Sequence, residues 1–242
     1  MNDINIQIDD KSYLNTSDNT SKQVIKNLSL SLKNNEFVCL VGHSGCGKTS
    51  LLNILAGLDL DFTGNITLAA TQPKIGYIFQ TPHLLPWRTV AENISLATSC
   101  STETLDSLLN SMGLTQERNS FPAQLSLGMS RRVAIARAFA TDPDLLLMDE
   151  PFVSLDSPTA RKVRQLLLNL WNKKPHKVLF VTHDLREAIS LADKLIFLDS
   201  KPMTVLKEIP VNIPREERDN ELKIEQFKQQ LFIDYPEIHT LL

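Results

Sequence analysis

One stretch of eight residues, Gly42 to Thr49, constrains this chain more than any other. It reads Gly-His-Ser-Gly-Cys-Gly-Lys-Thr and fits the pattern G-x-x-x-x-G-K-[ST]. An apolar run, Phe37 to Val41, precedes it, and a helical apolar pattern at residues 51–55 follows it. A buried strand that leads through a glycine-rich loop into a helix directs backbone N–H groups, and the positive end of the helix dipole, at one anion. The order of strand, loop and helix therefore predicts a P-loop that binds the phosphates of a nucleotide.

The residue types in this loop have separate roles in phosphate binding. The three glycines allow unusual backbone angles and a close approach of the backbone to the ligand. Lys48 supplies a point charge, and Thr49 supplies a hydroxyl group for Mg²⁺. The predicted nucleotide-binding residues are Gly42, His43, Ser44, Gly45, Cys46, Gly47, Lys48, Thr49 and Ser50.

Length and composition indicate an ordinary globular protein. The 242 residues can bury a core as one domain, or as one domain with a subdomain. The net charge of -3 gives no general attraction to nucleic acid or anionic lipid. Three cysteines at unrelated spacings predict neither a disulfide framework nor a metal site, which suits a reducing cytosol; they are Cys39, Cys46 and Cys100. No stretch approaches the ~20 apolar residues that span a bilayer, and no signal peptide opens the chain, so we expect any role at a membrane to depend on partners.

Alternation of apolar and polar residues predicts an antiparallel layer at the N-terminus. Residues 3–9 are interpreted as an edge strand, residues 14–22 as a polar turn and residues 24–32 as a second strand. Further strands are predicted at 66–68, 75–79, 145–148, 178–181, 195–198 and 204–209, and helices at 90–96, 104–112, 128–140, 158–171 and 185–191. The middle strands are apolar throughout, which is typical of a parallel sheet buried on both faces.

Two carboxylates, Asp149 and Glu150, follow the apolar run at residues 145–148. The carboxyl end of a buried strand is where open α/β sheets bind their ligands. We expect Asp149 to hold Mg²⁺ directly or through water, and Glu150 to be a candidate base for an attacking water. The alternative is a solvated pair of carboxylates at a strand end.

Two further polar residues end predicted strands. The amide of Gln80 could contact Mg²⁺ or the attacking water, and the neutral imidazole of His183 could hydrogen-bond the γ-phosphate or Glu150. The other histidines are interpreted as surface or loop residues: His43, His83, His176 and His239.

A serine and a glycine, Ser126 and Gly128, precede a predicted helix and indicate a second phosphate-facing site. One chain would then hold two anion sites for one nucleotide. We therefore expect a head-to-tail dimer in which the serine turn of one subunit closes the P-loop of the other.

In their order and approximate spacing, these motifs resemble the ATP-binding-cassette (ABC) family over about residues 3–200. The resemblance implies ATP hydrolysis coupled to movement of partner domains, with ATP and Mg²⁺ bound between two subunits. It also implies an α/β fold: a P-loop NTPase with a RecA-like mixed or parallel sheet core, an N-terminal antiparallel β layer and an inserted α-helical subdomain. A single ATPase domain over residues 1–242 is expected, with the core at 1–83 and 141–200, the helical subdomain at 84–140 and a strand and helix tail at 201–242.

The resemblance also assigns roles to individual residues. Gln80 is implied to be the Q-loop glutamine, Glu150 the catalytic base and His183 the switch histidine, and Asp156 belongs to the D-loop. Tyr13 resembles the aromatic residue that stacks on adenine. The implied signature, acting in trans, is Ser126, Leu127, Gly128 and Met129, and the implied metal-binding residues are Thr49, Gln80 and Asp149.

Three positions depart from the family pattern, and one of them is Met129, which stands where the signature usually has glutamine. Leu127 stands where the signature usually has glycine, which would cost roughly 1 kcal/mol or more if the backbone there needed a positive φ. Our hypothesis is that Ser126 and Gly128 suffice and that hydrolysis persists. Asn35 replaces a glycine in the turn before the P-loop strand, and asparagine tolerates the left-handed conformation.

Two segments, residues 84–93 and 207–215, are similar to importers of nitrate, aliphatic sulfonates and taurine. This resemblance implies an importer subunit on the cytoplasmic face of the inner or plasma membrane. Its implied partners are integral membrane permeases, a second copy or a related ATPase and, indirectly, a substrate-binding protein, with no nucleic acid. The alternatives are the ATPase of an ABC exporter and a cassette ATPase of DNA repair or chromosome organisation, although no heptad run separates Lys48 from Ser126 and the chain has no basic patch. A P-loop kinase or GTPase is a weaker alternative, because Pro175 replaces the acid of a guanine-reading motif.

Overall fold

The structure is a computed structural model that describes residues 3–15, 20–68, 72–97, 101–200 and 202–241. Cys100 and residues 16–19 of the predicted polar turn lie outside these ranges. The chain forms two compact units, one of Met1–Thr71 with Lys177–Leu242 and one of Gln72–His176. The predicted boundaries of a helical subdomain at residues 84–140 stay a prediction. Among the described residues, no helix is both long enough and apolar enough to cross a membrane.

The described strands and helices follow the predicted order. The strands are β1 (Ile4–Asn15), β2 (Thr20–Leu32), β3 (Phe37–Val41), β4 (Thr63–Thr67), β5 (Ile75–Ile78), β6 (Leu145–Asp149), β7 (Lys177–Thr182), β8 (Lys194–Asp199) and β9 (Thr204–Pro210). The α-helices are α1 (Lys48–Leu55), α2 (Val90–Ser95), α3 (Thr102–Ser111), α4 (Leu127–Ala140), α5 (Ser157–Lys173), α6 (Leu185–Leu191) and α7 (Glu221–Asp234).

The first unit contains an antiparallel sheet in the order β2-β1-β4. β1 pairs with β2 on one side and with β4 on the other, where Ile6 lies opposite Ile66. The prediction of an edge strand at residues 3–9 is therefore wrong, because β1 is the central strand of this sheet. Alternation in the sequence shows that one face is buried, but it does not show how many neighbours a strand has.

The same unit contains four neighbouring strands in the order β7-β3-β8-β9. β3 runs parallel to β7 and β8, and β9 is antiparallel to β8. Every residue of β3 is buried, as expected for a strand covered on both faces. Asn35, in the turn before β3, has a φ of 56°, the left-handed conformation that asparagine tolerates.

The second unit contains the parallel pair β5 and β6 together with helices α2 to α5. Helix α4 contacts each of the other three helices and β5. Its buried residues include Val133, Ile135 and Ala136, which lie on more than one face of the helix. A helix that is buried on several sides is suited to hold its N-terminus, and the residues there, in a fixed place.

Candidate nucleotide-binding site

The predicted P-loop joins β3 to α1 with the expected backbone geometry. Gly45 and Gly47 have φ values of 76° and 114°, which side chains disfavour. Gly42 has a different role, since a Cβ atom there would lie 3.1 Å from the carbonyl oxygen of Leu198. At Gly47 a Cβ atom would also lie 2.7 Å from Cγ1 of Val24. The glycines therefore permit both the turn and the close packing of the loop.

Lys48, the first residue of α1, is buried at 5% exposure. Its Nζ donates hydrogen bonds to the carbonyl oxygens of Gly42 at 2.6 Å and His43 at 2.8 Å. A buried ammonium group needs such partners. Both acceptors are neutral, so the charge of Lys48 can still attract an anionic phosphate.

The other predicted P-loop residues differ in exposure. The side chains of His43, Ser44 and Thr49 are exposed, whereas Cys46 is buried. Thr49 lies in the first turn of α1, where the backbone N–H groups have no acceptor within the helix. Its hydroxyl group is therefore at the same end of the helix as these N–H groups.

His183 leaves the sheet at the same edge as the P-loop. β3 and β7 are parallel, and Val41 lies opposite Thr182 at their carboxyl ends. The residues that follow these two, Gly42 and His183, therefore start from adjacent strand ends. The His183 side chain is exposed.

Tyr13 lies on β1 and is 41% exposed. Its hydroxyl group hydrogen-bonds Oδ2 of Asp59 at 2.9 Å and Oγ of Ser50 at 3.2 Å. Ser50 belongs to α1, so the phenol group of Tyr13 is connected directly to the helix that begins at the P-loop.

In the second unit, Asp149 and Glu150 stand at the carboxyl end of β6, as predicted. Asp149 is buried at 6% exposure. Burial raises the pKa of the Tyr77 hydroxyl, and the nearby charge of Asp149 raises it further. Nε2 of Gln80 donates a hydrogen bond of 3.4 Å to Oε2 of Glu150. The structure thus brings together two residues that lie far apart in the sequence and share a predicted role at the attacking water.

Glu150 has a φ of 42°, an uncommon value for a residue with a long side chain. Such backbone strain concentrates at functional sites, where it fixes the direction of a side chain. The sequence does not reveal this feature.

The predicted signature forms the N-terminus of α4. Ser126 is the N-cap residue, and its Oγ accepts a hydrogen bond of 3.2 Å from the backbone N–H of Met129. Leu127 is the first helical residue, and its φ is negative, as in an ordinary right-handed helix. Leucine at this position therefore carries no left-handed strain, and its side chain is 43% exposed. Gly128 is buried, and a Cβ atom there would lie 2.8 Å from Cγ2 of Thr159.

Asp156 caps the N-terminus of α5. Its Oδ1 accepts a hydrogen bond of 3.0 Å from the backbone N–H of Thr159, and this bond lowers the pKa of the Asp156 carboxyl group. The carboxylate therefore has a structural role as a helix cap.

Sequence reasoning missed the role of Arg131. This residue of α4 is 3% exposed, and its guanidinium group donates hydrogen bonds to the carbonyl oxygens of Phe79 at 3.2 Å and Val153 at 3.3 Å. Phe79 directly precedes Gln80, and Val153 lies three residues after Glu150 in the turn beyond β6. Arg131 thus fixes the backbone on both sides of the Gln80–Glu150 contact. The available signal was a group of arginines, Arg131, Arg132 and Arg137, in a helix that is otherwise mostly apolar.

The predicted metal-binding residues offer only oxygen ligands suited to Mg²⁺: a threonine hydroxyl, an amide and a buried carboxylate. Within the described ranges, no group of three or more His, Cys, Asp or Glu residues could hold a metal ion by itself. Mg²⁺ is commonly held by one or two carboxylates together with substrate phosphates and water. The residues present therefore fit an ion that binds together with a nucleotide.

Comparison with known proteins agrees with these motifs. The family model described as "ABC transporter" matches residues 25–153. The chain is 38% identical to the aliphatic sulfonates import ATP-binding protein SsuB of Bacillus licheniformis, over 87% of this chain and 86% of the relative. It is 36% identical to SsuB 1 of Pseudomonas savastanoi pv. phaseolicola, over 98% of both chains.

Solved structures of the cassette MJ0796 share the fold. One is a dimeric bacterial ABC transporter cassette, with a TM-score of 0.74 and 30% identity over 87% of this chain and all of that one. The other, with a TM-score of 0.72, 30% identity and the same coverage, is a dimeric post-hydrolysis state bound to ADP and Pi. The α/β P-loop NTPase fold predicted from the sequence is confirmed, and the chain belongs to the ABC transporter family as an ATP-binding, ATP-hydrolysing subunit.

Proposed function

We propose that this protein powers the import of a small anionic solute of the aliphatic sulfonate class through partner membrane permeases. The observation that carries this proposal is its similarity to SsuB proteins, which extends over 98% of both chains in one case. The match therefore includes both segments, residues 84–93 and 207–215, that resembled this importer branch in the sequence. A location on the cytoplasmic face of the membrane follows from the proposed role.

The side chains support the following division of the chemistry. Lys48 and the N–H groups of the P-loop bind the phosphates of ATP. Thr49, Gln80 and Asp149 would hold Mg²⁺, which would supply positive charge to the phosphate oxygens. Glu150 accepts a proton from the attacking water, and Gln80 orients the Glu150 carboxylate through its hydrogen bond. His183 hydrogen-bonds the γ-phosphate.

The proposal includes a homodimer, or a heterodimer with a related ATPase. The solved relatives of this fold are dimeric. The N-terminus of α4 presents Ser126 and the exposed Leu127, and a helix N-terminus of this kind suits the phosphates of a nucleotide held by a second copy.

Permease docking is proposed for the surface around residues 84–93. Trp87, at 68% exposure, is a large apolar side chain on this segment, and Leu96 follows at 62%. Exposed aromatic and aliphatic side chains of this kind are typical of interaction surfaces.

Co-purification with the permease subunits that this protein binds tests the proposal. ATP hydrolysis by the complex in vesicles should rise when an alkanesulfonate and its binding protein are supplied, and labelled alkanesulfonate should accumulate. Lys48→Ala should remove both signals. Stimulation by DNA instead of by membrane partners would favour the DNA-repair alternative, and ATP-driven extrusion would favour an exporter.

A further inference from the structure

Lys11 of β1 is a buried charge whose role is not explained by the proposed reaction. Its side chain is 1% exposed. An ammonium group that is removed from water costs several kcal/mol unless charged or hydrogen-bonding partners replace the water. The partners of Lys11 therefore indicate what the buried charge supports.

Those partners lie in the loop that follows α1. Nζ of Lys11 donates hydrogen bonds to Oδ1 of Asp59 at 2.9 Å and to the carbonyl oxygen of Asp61 at 2.6 Å. Burial opposes the charge of Lys11, but the hydrogen bond and charge of Asp59 outweigh it, and the pKa of Lys11 is raised. Burial likewise opposes the charge of Asp59, but hydrogen bonds from Lys11 and Tyr13 lower its pKa. Both groups are therefore charged near neutral pH.

The same pair holds the ring of Tyr13. Nζ of Lys11 lies 4.3 Å from the centroid of that ring, within the range of a cation–π interaction. The second carboxylate oxygen of Asp59 contacts the phenol hydroxyl at 2.9 Å, and Ser50 contacts it at 3.2 Å. One ring face and the phenol tip are thus held in place. Because Lys11 covers one face, a ligand can stack only on the opposite face of the ring, and Tyr13 as a whole is 41% exposed.

We propose that Lys11 and Asp59 are positioning residues for base recognition, which fix the Tyr13 ring beside the P-loop helix so that its exposed face stacks on the adenine of ATP. The inference rests on the proposed function as an ATPase and extends it to the contact of Tyr13 with the base. A ring that is already held in place loses less side-chain entropy when a base stacks on it. The charge of Lys11 thus acts on ATP through Tyr13 and does not contact the phosphates.

Two ligands separate base recognition from phosphate binding. Dissociation constants of ATP and of inorganic tripolyphosphate, each with Mg²⁺, are measured by calorimetry for the full chain. Tyr13→Ala should weaken ATP binding roughly tenfold, in line with the loss of one base–aromatic stack, and leave tripolyphosphate binding unchanged. Lys11→Met should weaken ATP binding several-fold, again with no change for tripolyphosphate.

A double variant tests whether Lys11 acts through Tyr13. In the Tyr13→Ala background, Lys11→Met should cause no further loss of ATP affinity, since the ring that it positions is gone. Lys177→Met is the matched control, because Lys177 is also a buried lysine of the same unit, at 3% exposure, and is bonded to Asn34. It should lower stability without changing the ratio of ATP to tripolyphosphate affinity.

Several results would overturn the inference. An equal loss of both ligands in Lys11→Met would show a general structural role, and so would a further loss in the double variant. Unchanged ATP binding in Lys11→Met would remove the role altogether. If Lys11→Met does not fold, Tyr13→Phe is the variant to test, because it keeps the ring and removes the contacts to Asp59 and Ser50. A loss of affinity for ATP but not for tripolyphosphate in Tyr13→Phe supports the inference. Wild-type affinity for ATP contradicts it.

Failure of the inference can be distinguished from failure of the proposed function. Lys48→Ala should abolish the binding of both ligands. If it does so while Tyr13→Ala binds ATP normally, the adenine stack is wrong and the P-loop assignment stands. If Lys48→Ala binds both ligands as the wild type does, the proposed phosphate site itself is wrong.

Discussion

The backbone angle of Leu127 decides whether a leucine in the signature is unfavourable. Leu127 is the first residue of α4 and has right-handed geometry, so leucine costs nothing through a positive φ. We therefore expect wild-type protein, with its partners, to hydrolyse ATP, and Leu127→Gly to change the rate by less than about tenfold. Phosphate release in a steady-state assay measures this. An inactive wild type whose activity appears only in Leu127→Gly would contradict the expectation.

The contacts of Asp59 predict a pH dependence of stability. Its pKa lies below the usual value of 3.8, so the stability that it contributes is fully present above pH 3.8 and is lost as the pH falls through the lower, folded-state pKa. Asp59→Asn should lower the free energy of unfolding by about 2 kcal/mol near neutral pH, because Lys11 loses the nearer of its two carboxylate partners, Asp59 at 2.9 Å and Asp61 at 3.5 Å. The difference in the free energy of unfolding between wild type and Asp59→Asn should become smaller as the pH falls below 3.8. Urea titrations at several pH values measure it, and a gap independent of pH would contradict the prediction.

Single residues show clearly what a sequence can and cannot predict. Gly47 and Asp149 were predictable, because a loop motif and an apolar run fix their places along the chain. The left-handed backbone of Glu150 and the burial of Lys11 were not, since both depend on neighbours that are distant in sequence. Lysine is usually a surface residue, and only the contacts of Lys11 with Asp59 and Tyr13 indicate its role.

At the scale of elements, the packing of α4 on α5 depends on one glycine. A Cβ atom at Gly128 would lie 2.8 Å from Cγ2 of Thr159, and a β-branched threonine cannot easily turn away. Gly128→Ala should therefore destabilise the protein by about 1 kcal/mol, although alanine is the better helix former.

Thr159→Ser is the matched second substitution, because it removes the methyl group that would clash. The double variant Gly128→Ala/Thr159→Ser should recover the stability of Thr159→Ser within about 0.5 kcal/mol. Denaturant titration of the four proteins completes the cycle. A double variant as unstable as the sum of the two single variants would show that this contact is not the cause.

Elements were predicted best where periodicity is strong. The helix α6 was placed at its observed bounds, and the strands β3 and β7 were identified by continuous apolar runs. The prediction failed on strand neighbours, as for β1, because pairing depends on the tertiary arrangement and not on the local pattern. β4 also begins earlier than the strand predicted at residues 66–68, since Gly64 is a weak strand former and hides the start of the strand in the sequence.

At the scale of the molecule, a buried arginine fixes the C-terminal segment within the first unit. Arg218 is 6% exposed, and it donates hydrogen bonds of 2.8 Å to the carbonyl oxygens of Ile213 and Ala192. It also forms an ion pair of 3.4 Å with Asp193, whose carboxylate accepts a hydrogen bond of 3.0 Å from the backbone N–H of Phe37 at the start of β3. One residue thus connects the tail with the strand that leads to the P-loop.

Arg218→Met should therefore lower the free energy of unfolding by about 3 kcal/mol, because it removes the donor to several buried carbonyl groups and one of the ion-pair partners of Asp193. Arg186→Met is the control, since Arg186 forms an exposed ion pair with Glu225 and should cost less than about 1 kcal/mol. Urea denaturation compares the two. Equal losses in the two variants would show that the tail is not held through Arg218.

The proposed dimer predicts how a substitution of Glu150 affects both hydrolysis and assembly. ATP can favour a closed dimer only through a higher affinity for the closed than for the open state, and hydrolysis must remove that preference. Glu150→Gln keeps the size of the side chain but cannot accept a proton from water. We expect hydrolysis to fall at least about a hundredfold and the ATP-bound dimer to accumulate, since closure proceeds and reopening does not.

Size-exclusion chromatography with and without MgATP measures this accumulation, and a single-turnover assay measures the hydrolytic step. Lys48→Ala in the Glu150→Gln background should remain monomeric, because the dimer depends on bound nucleotide. A Glu150→Gln variant that hydrolyses ATP at the wild-type rate would exclude Glu150 as the base. A variant that hydrolyses ATP slowly but stays monomeric with ATP would support Glu150 as the base. It would contradict the proposed dimer, since closure of two copies around the nucleotide would then have no support in solution.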